Sequence, residues 1–355
     1  MLRTIILAGV LLLAAITLAS MIPSYRWWLR IWDFPRLAVL ALAAVLLVAS
    51  LASLSGHSRL LAALAMAAVV LWQGWRIYPY TPLASSEVAI ALPDRTNCIK
   101  AMSFNVLQTN RNFDATIRAI EAENPDILLL LETDSKWTEA LEPVTSRYPH
   151  RLLAPLDNLY GLAFYTRLDM AAGEVRYLVD DETPSVAAEL STGGSAQFLF
   201  LGLHPRPPRP GEDTEQRDAE IAIAARQAAR QPQPVLAMGD FNDVAWSRTS
   251  RLFKRIGGYV DPRIGRGFYA TFPARLPVFR WPLDHLFMTP DFTVAEMRVM
   301  ENLGSDHLPV VATLCLAPKV AKVLNDAPPA PNASDVQEMR ETIADGKASA
   351  RDDKD

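Results

Sequence analysis

Residues 235–243, VLAMGDFND, run from largely apolar positions into a glycine and then into Asp240, Phe241 and Asn242. A short apolar run ended by a turn signal reads as a buried strand. Gly239 lets the chain bend where that strand leaves its sheet. Asp240 and Asn242 stand two positions apart, so on extended backbone their side chains point the same way. A carboxylate beside a neutral amide suits a metal-assisted phosphate site: the carboxylate takes a hard cation or a water proton, and the amide donates to a phosphate oxygen. The plain alternative is an Asx-type turn in which Asp and Asn cap their own backbone.

Other apolar runs end in polar groups that are equally expensive to bury. Asn105 closes the run 98–106 and Glu132 closes 126–132 (DILLLLE). His204 follows 197–203, Asp284 and His285 lie at the start of 283–288, and Asp306 with His307 precedes 310–316. One such residue is ordinarily a cap. So many in one domain need another reason, because clustered carboxylates repel each other unless a cation sits among them. Asp, Glu, Asn and His without thiolates suit Mg²⁺ or Mn²⁺ rather than zinc. Adjacent strand residues face opposite ways, so Asp284 is assigned to the site and His285 to packing or the rim. His57 and His150 have no motif around them and are given no role.

These residues need a scaffold, and the 355-residue chain allows one large domain or two ordinary ones. Half of it is hydrophobic, concentrated in blocks 4–22, 37–54 and 60–75. They lack a polar face, so they read as three transmembrane helices in a membrane segment 1–78. A cleaved signal peptide is a rival reading for the first block alone. Residues 79–96 read as a linker, 97–317 as the catalytic domain, and 318–355, poor in large apolar residues, as a disordered tail. Within the domain the patterns predict helices at 114–123 (with Asp114 as N-cap), 135–148, 213–230 and 247–256. Strands are expected at 98–106, 126–132, 161–165, 174–179, 185–190, 197–203, 235–240, 268–272, 283–288, 293–299 and 310–316. Many short strands, adjacent in sequence and mixed with helices, argue for a layered α/β domain with mixed sheets.

Arg26, Arg30, Arg36 and Arg76 lie on one side of the spans and Arg3 and Arg59 on the other, a distribution that favours a cytoplasmic catalytic domain. Cys98 and Cys315 sit in apolar, strand-like settings and are expected as buried free thiols.

SFN at 103–105, LLE at 130–132, LGLH at 201–204, GDFN at 239–242, LDHLF at 283–287 and SDH at 305–307 together resemble the endonuclease/exonuclease/phosphatase superfamily, with its DNase I-like fold. The resemblance covers about 97–317 and implies a four-layer α/β/β/α sandwich with the site at one edge of two sheets. It implies Glu132 as principal metal ligand, with Asn105 and Asp306 completing a Mg²⁺ or Mn²⁺ site. Asp240 would orient or deprotonate the attacking water, and Asn242 and His204 would hold phosphate oxygens. His307 would contact the scissile phosphate, with Asp284 on its far ring nitrogen. The stretch after the middle strand, HPRPPRPGE, lacks the tyrosine of the apurinic endonucleases. The glutamate that partners the histidine in DNase I-type enzymes is not evident near Tyr160.

The expected activity is a membrane-tethered, metal-dependent phosphodiesterase, nuclease-like in the first instance. The alternatives are a phospholipid-headgroup enzyme (sphingomyelinase-like or inositol-phosphate-like) and a non-catalytic membrane scaffold. A net charge of −4 counts against a strong grip on duplex nucleic acid, although Arg206, Arg209, Arg263, Arg266, Arg275 and Arg280 are candidates for a local basic rim.

Overall fold

The computed structural model describes residues 1–91, 97–193 and 196–353. Helix α1 (Leu2–Ala19) leads through a connection bearing the single turn α2 (Trp27–Arg30) to α3 (Arg36–Ser53), and α4 (Gly56–Ile77) returns. The three long helices are long and apolar enough to cross a membrane. Leu11, Leu12, Val45, Leu64 and Leu71 stay exposed on their outer surface, while Val10, Ala43 and Met66 pack inside the bundle. An inner polar chain ties all three: Arg36 Nη1 donates to Gln73 Oε1 (2.9 Å) and Gln73 Nε2 donates to Thr17 Oγ1 (3.0 Å).

The domain that follows runs β1 (Cys98–Asn105), α5 (Phe113–Glu123), β2 (Ile127–Leu131), α6 (Ser135–Thr145), β3 (His150–Ala154), β4 (Leu162–Thr166), β5 (Asp169–Tyr177), β6 (Pro184–Ser191) and β7 (Gln197–Leu203). It continues with α7 (Glu215–Ala228), β8 (Val235–Asp240), α8 (Arg248–Gly257), β9 (Asp284–Met288), β10 (Phe292–Val299), β11 (Val310–Leu316), α9 (Pro318–Leu324) and α10 (Ala333–Asp352). One sheet has the order β10-β11-β1-β2-β4-β3 and the other β5-β6-β7-β8-β9. Their inner faces meet over Leu129, Phe164, Phe200, Met238 and Leu286. Helices α5 and α6 cover the first sheet through Ile120 and Trp137, and α7, α8 and α10 cover the second through Ile221, Phe253 and Met339. This is the expected α/β/β/α arrangement, and it explains why β2 is buried along its whole length.

Each sheet has one parallel pair, β1 with β2 and β7 with β8, flanked by an antiparallel strand, β11 beside β1 and β9 beside β8. The carboxyl ends of the parallel strands and the amino ends of their antiparallel neighbours therefore lie at the same edge. Gly239 has φ +142°, and a Cβ there would lie 2.0 Å from Leu203 O, so β8 approaches β7 as only glycine permits.

Several expectations are corrected. The two cysteines are not free thiols: Cys98 and Cys315 are paired in register across β1 and β11 and joined by a disulfide. A single chain says nothing about register, and register is what brings them together. The tail is not disordered over 318–353. Asn332 and Asp335 form a capping box at the start of α10. Gly346, whose Cβ would lie 2.3 Å from Ala219 Cβ, lets that helix pack closely on α7, so small residues do what large apolar ones would otherwise do. The linker is not free either, because Val88 is buried in the inter-sheet core and Glu87 pairs with Lys254. Its residues 92–96 lie outside those described. Residues 268–272 form no strand, only an isolated bridge between Phe272 and Trp281. Asn112 holds the N-cap position of α5 without a side-chain capping bond, and Asp114 lies in its first turn, whereas Ser247 caps α8 as expected, accepting from Ser250 N–H.

Candidate active site

Asn105, Glu132, His204, Asp240, Asn242, Asp284, Asp306 and His307 all emerge at that shared edge. Asn105 ends β1, and its Nδ2 donates both to Glu132 Oε1 (2.9 Å) and to Asp240 Oδ2 (3.1 Å), so one amide joins the ends of the two sheets. Glu132 has φ +59°, a conformation a non-glycine residue holds only where its surroundings impose it, and its Oε2 accepts from Gln108 N–H (3.3 Å). Burial, reinforced by the nearby Asp306 carboxylate, raises the Glu132 carboxyl above its ordinary value.

Asp240 is wholly buried. Its Oδ1 accepts from Asn242 N–H (2.9 Å), so the Asx-type turn is present, and its Oδ2 is left to face the site. Asn242, at φ +48°, donates from Nδ2 to Pro205 O (2.9 Å). Across the ladder Asp240 is the register partner of Asp284, whose Oδ2 accepts from His307 Nδ1–H (2.8 Å). His307 Nε2 lies 3.4 Å from Asp240 Oδ2, which puts the imidazole between two carboxylates. Burial opposes a charge on His307, but Asp240 and Asp284 outweigh it and hold the ring protonated at neutral pH. Burial likewise raises the Asp240 carboxyl, against the pull of His307. Asp240, Asp284 and His307 each offer a ligand atom within 4.8 Å of the others.

His204 Nε2 is 3.9 Å from Asp240 Oδ2, and its Nδ1 has no partner among the described residues. Its ring packs beside Tyr160 (centroids 5.8 Å apart), and burial lowers it to about 3, so it is neutral. His285 points away, as strand alternation requires: Arg263 Nη2 donates to its Nδ1 (2.9 Å), and its Nε2 donates to Asp243 O (2.8 Å). His285 thus packs the interior.

The expected basic rim does not form as a patch. Arg263 is buried against Asp261, Arg206 pairs with Asp180 and Glu182, and Arg266 and Arg280 bond to backbone carbonyls. Sequence reasoning missed Ser305, whose Oγ donates to Asn105 O (2.8 Å) and accepts from His307 N–H (3.1 Å), holding the histidine segment to β1. Its place in SDH was the available signal. It also missed that the connection after α1 docks beside this edge, where Trp246 Nε1 donates to Asp33 O (2.7 Å) and Arg30 Nη2 donates to Thr249 Oγ1 (3.0 Å). No local pattern announces that contact.

Comparison with known proteins agrees with this geometry. The model of the endonuclease/exonuclease/phosphatase family matches residues 102–307. Among solved structures, humanized D. rerio TDP2 is similar at 15% identity and TM-score 0.50, covering 62% of this chain and 99% of that one. The human Nocturnin catalytic domain with bound sulfate anion is similar at 18% identity and TM-score 0.50, covering 62% and 95%. The Bacteroides vulgatus endonuclease/exonuclease/phosphatase is similar at 16% identity and TM-score 0.50, covering 62% and 99%. At such identities the likeness is one of fold. No curated protein matches the chain. Motifs in order, a site at one edge of paired sheets, and a family model spanning more than half of the chain lead to one conclusion: the chain belongs to the endonuclease/exonuclease/phosphatase family, whose members are hydrolases of phosphoesters.

Proposed function

We propose that the chain is a membrane-held, divalent-metal-dependent phosphodiesterase in which water attacks phosphorus in line with a departing ester oxygen. The observation that carries this reading is the acid excess at the sheet edge: Glu132, Asp240, Asp284 and Asp306 face one imidazolium, His307. Like charges at this density, with Asp240 and Asp284 buried and Glu132 and Asp306 half-buried, call for a cation. Asp284 Oδ1, buried and without a partner among the described residues, points the same way. The oxygen-rich donor set fits Mg²⁺ or Mn²⁺. Glu132 and Asp306 would hold it. Asn105 would join them by rotating its amide, since its oxygen now accepts from Leu107 N–H. His307 already spans Asp284 and Asp240, so those two carboxylates are assigned to the proton work. When bound, the cation offsets charge that develops on the phosphoryl oxygens.

Asp240 orients the water and takes its proton. His307, fixed by Asp284, donates from Nε2 to a phosphoryl oxygen, and neutral His204 and Asn242 hold the others. The test is hydrolysis of bis(p-nitrophenyl) phosphate by the full chain in nanodiscs, with Mg²⁺ and then with chelator. Activity lost with chelator and in Glu132→Gln supports the reading. Activity unchanged in Glu132→Gln refutes the metal site, and no activity in the parent chain favours the non-catalytic scaffold.

The three apolar helices support a multi-pass anchor. On sidedness the disulfide weighs more than the arginine count, because Arg30 and Arg36 are engaged with Asp33, and a bridge between β1 and β11 persists on an oxidising face of the membrane. Maleimide should label the denatured chain, isolated with thiols trapped, only after reduction. Absence of labelling even after reduction, because both thiols were free and already blocked, restores the cytoplasmic assignment.

A further inference from the structure

A groove of about 680 Å³ leads away from His307 and Asn242, within the range of about 300–1,000 Å³ typical of small-molecule sites. One wall is the connection between the first two spans, with Trp27, Trp28, Ile31, Trp32 and Phe34. The other belongs to the catalytic domain, with Pro207, Pro208, Phe272, Trp281 and Leu283. The walls are fastened together: Phe34 meets Trp281 edge-on (centroids 5.5 Å apart), and Trp246 holds Asp33. At the inner end Phe272 lies against the His307 ring (4.8 Å).

This lining selects against a polyanionic chain. Apart from the His307 imidazolium at its inner end, the cation among the lining residues is Arg209, and the adjacent Arg206 is committed to Asp180 and Glu182. Trp27, Trp28, Trp32 and Trp281 present aromatic planes, but a single-strand platform pairs such planes with a basic groove that tracks the backbone, and this lining carries one guanidinium. Hydrocarbon fits instead, and its source is close at hand. Helices α1, α3 and α4 place the connection and the domain on the same side of the bundle, so the groove opens where α3 begins. Next to it Leu276, Val278 and Phe279 are exposed between Arg275 and Arg280, an apolar tip with basic flanks of the kind that seats in a bilayer interface.

We infer that the substrate is a phosphoester lipid of the membrane itself, taken sideways from the bilayer so that its hydrocarbon chain lies in this groove while its phosphate reaches His307 and Asn242. The inference rests on the phosphodiesterase reading of the site. Water oxygen bonds to phosphorus, one phosphorus–oxygen ester bond breaks, and the departing oxygen takes up a proton. A diester lipid leaves as an alcohol and a phosphomonoester.

The experiment uses the full chain in nanodiscs with Mg²⁺ and three substrates: bis(p-nitrophenyl) phosphate, a diacyl phospholipid or a polyprenyl phosphodiester within the disc, and single-stranded DNA. Trp28→Asp and Ile31→Asp place charge on exposed positions of the groove wall, away from the reacting groups. Lipid turnover should fall about tenfold or more in both variants, equivalent to roughly 1.4 kcal/mol of lost transition-state contact, while the soluble ester keeps its rate. The preferred lipid arm identifies which hydrocarbon the groove takes. Lipid left intact while the soluble ester or DNA is cleaved overturns this inference and leaves the phosphodiesterase reading standing. Equal loss on lipid and soluble ester also overturns it, because the variants would then have acted through folding. No hydrolysis of any substrate overturns both.

Discussion

Asp240 and Asp243 leave the same strand three residues apart and enter two buried charge clusters of opposite character. Asp243 looks toward the connection after α1, where Arg30 (3.8 Å) and, from α7, Arg217 (3.9 Å) approach it and Ser247 donates to it. Arg30 and Arg36 also hold Asp33, and Arg217 grips Asp218 through two bonds (2.9 and 2.7 Å). Guanidinium groups and carboxylates balance there. Burial raises the Asp243 carboxyl in spite of Arg217 and Arg30, but at Asp218 the same two arginines outweigh burial and hold that carboxyl below its ordinary value. Around Asp240 the carboxylates outnumber the cations, and both Asp240 and Glu132 are raised. A balanced cluster is finished as it stands and fastens the connection after α1 to the domain. An acid-rich cluster is finished only by something it binds.

Asp240→Asn should lower kcat for a soluble phosphodiester by about 10²–10⁴-fold, the range for a lost general base, with thermal stability unchanged or improved. A variant that unfolds while its folded fraction stays active would place Asp240 with the structural cluster. The converse holds for Arg30→Met, which leaves Asp33 and Asp243 short of a cation in a buried setting. It should cost about 3–5 kcal/mol in denaturant unfolding while activity per folded molecule is retained. Loss of activity without loss of stability would tie the two clusters together.

A smaller effect is expected at Glu220, a buried carboxyl in neither cluster whose oxygens both lack partners among the described residues. Burial, with Asp180 adding to it, raises this group well above its ordinary value of 4.5. The folded state therefore keeps a proton that the unfolded state gives up. Stability is fullest below pH 4.5 and falls as the pH climbs toward the raised value. Glu220→Gln should remove that slope and gain on the order of 1 kcal/mol at neutral pH, read by thermal unfolding across a pH series. A slope that survives the substitution assigns the effect to another group.

Much of the site was legible because it is written in local terms. Asn105, Glu132, His204, Asp240, Asp284 and His307 each sit at the end of an apolar run, and strand alternation alone separated Asp284 from His285. The Asx turn at Asp240 and the outward role of its other oxygen are both present, so the two readings of GDFN were not exclusive. The basic rim failed because an arginine's position in sequence does not reveal its partner: Arg263 is spoken for by Asp261 and Arg206 by Asp180.

By itself, then, the sequence determined most of the strands, the residues at their ends, the three apolar helices and the family, since each depends on side chains a few positions apart, while the expected strand at 268–272 did not form and β3 went unforeseen. Only the tertiary structure decided the Cys98–Cys315 bridge, the packing of α10 on α7 through Gly346 and the apolar groove between the connection after α1 and the site. Those depend on strand register and on surfaces from distant segments meeting, where the free energy belongs to the contact and not to either segment alone.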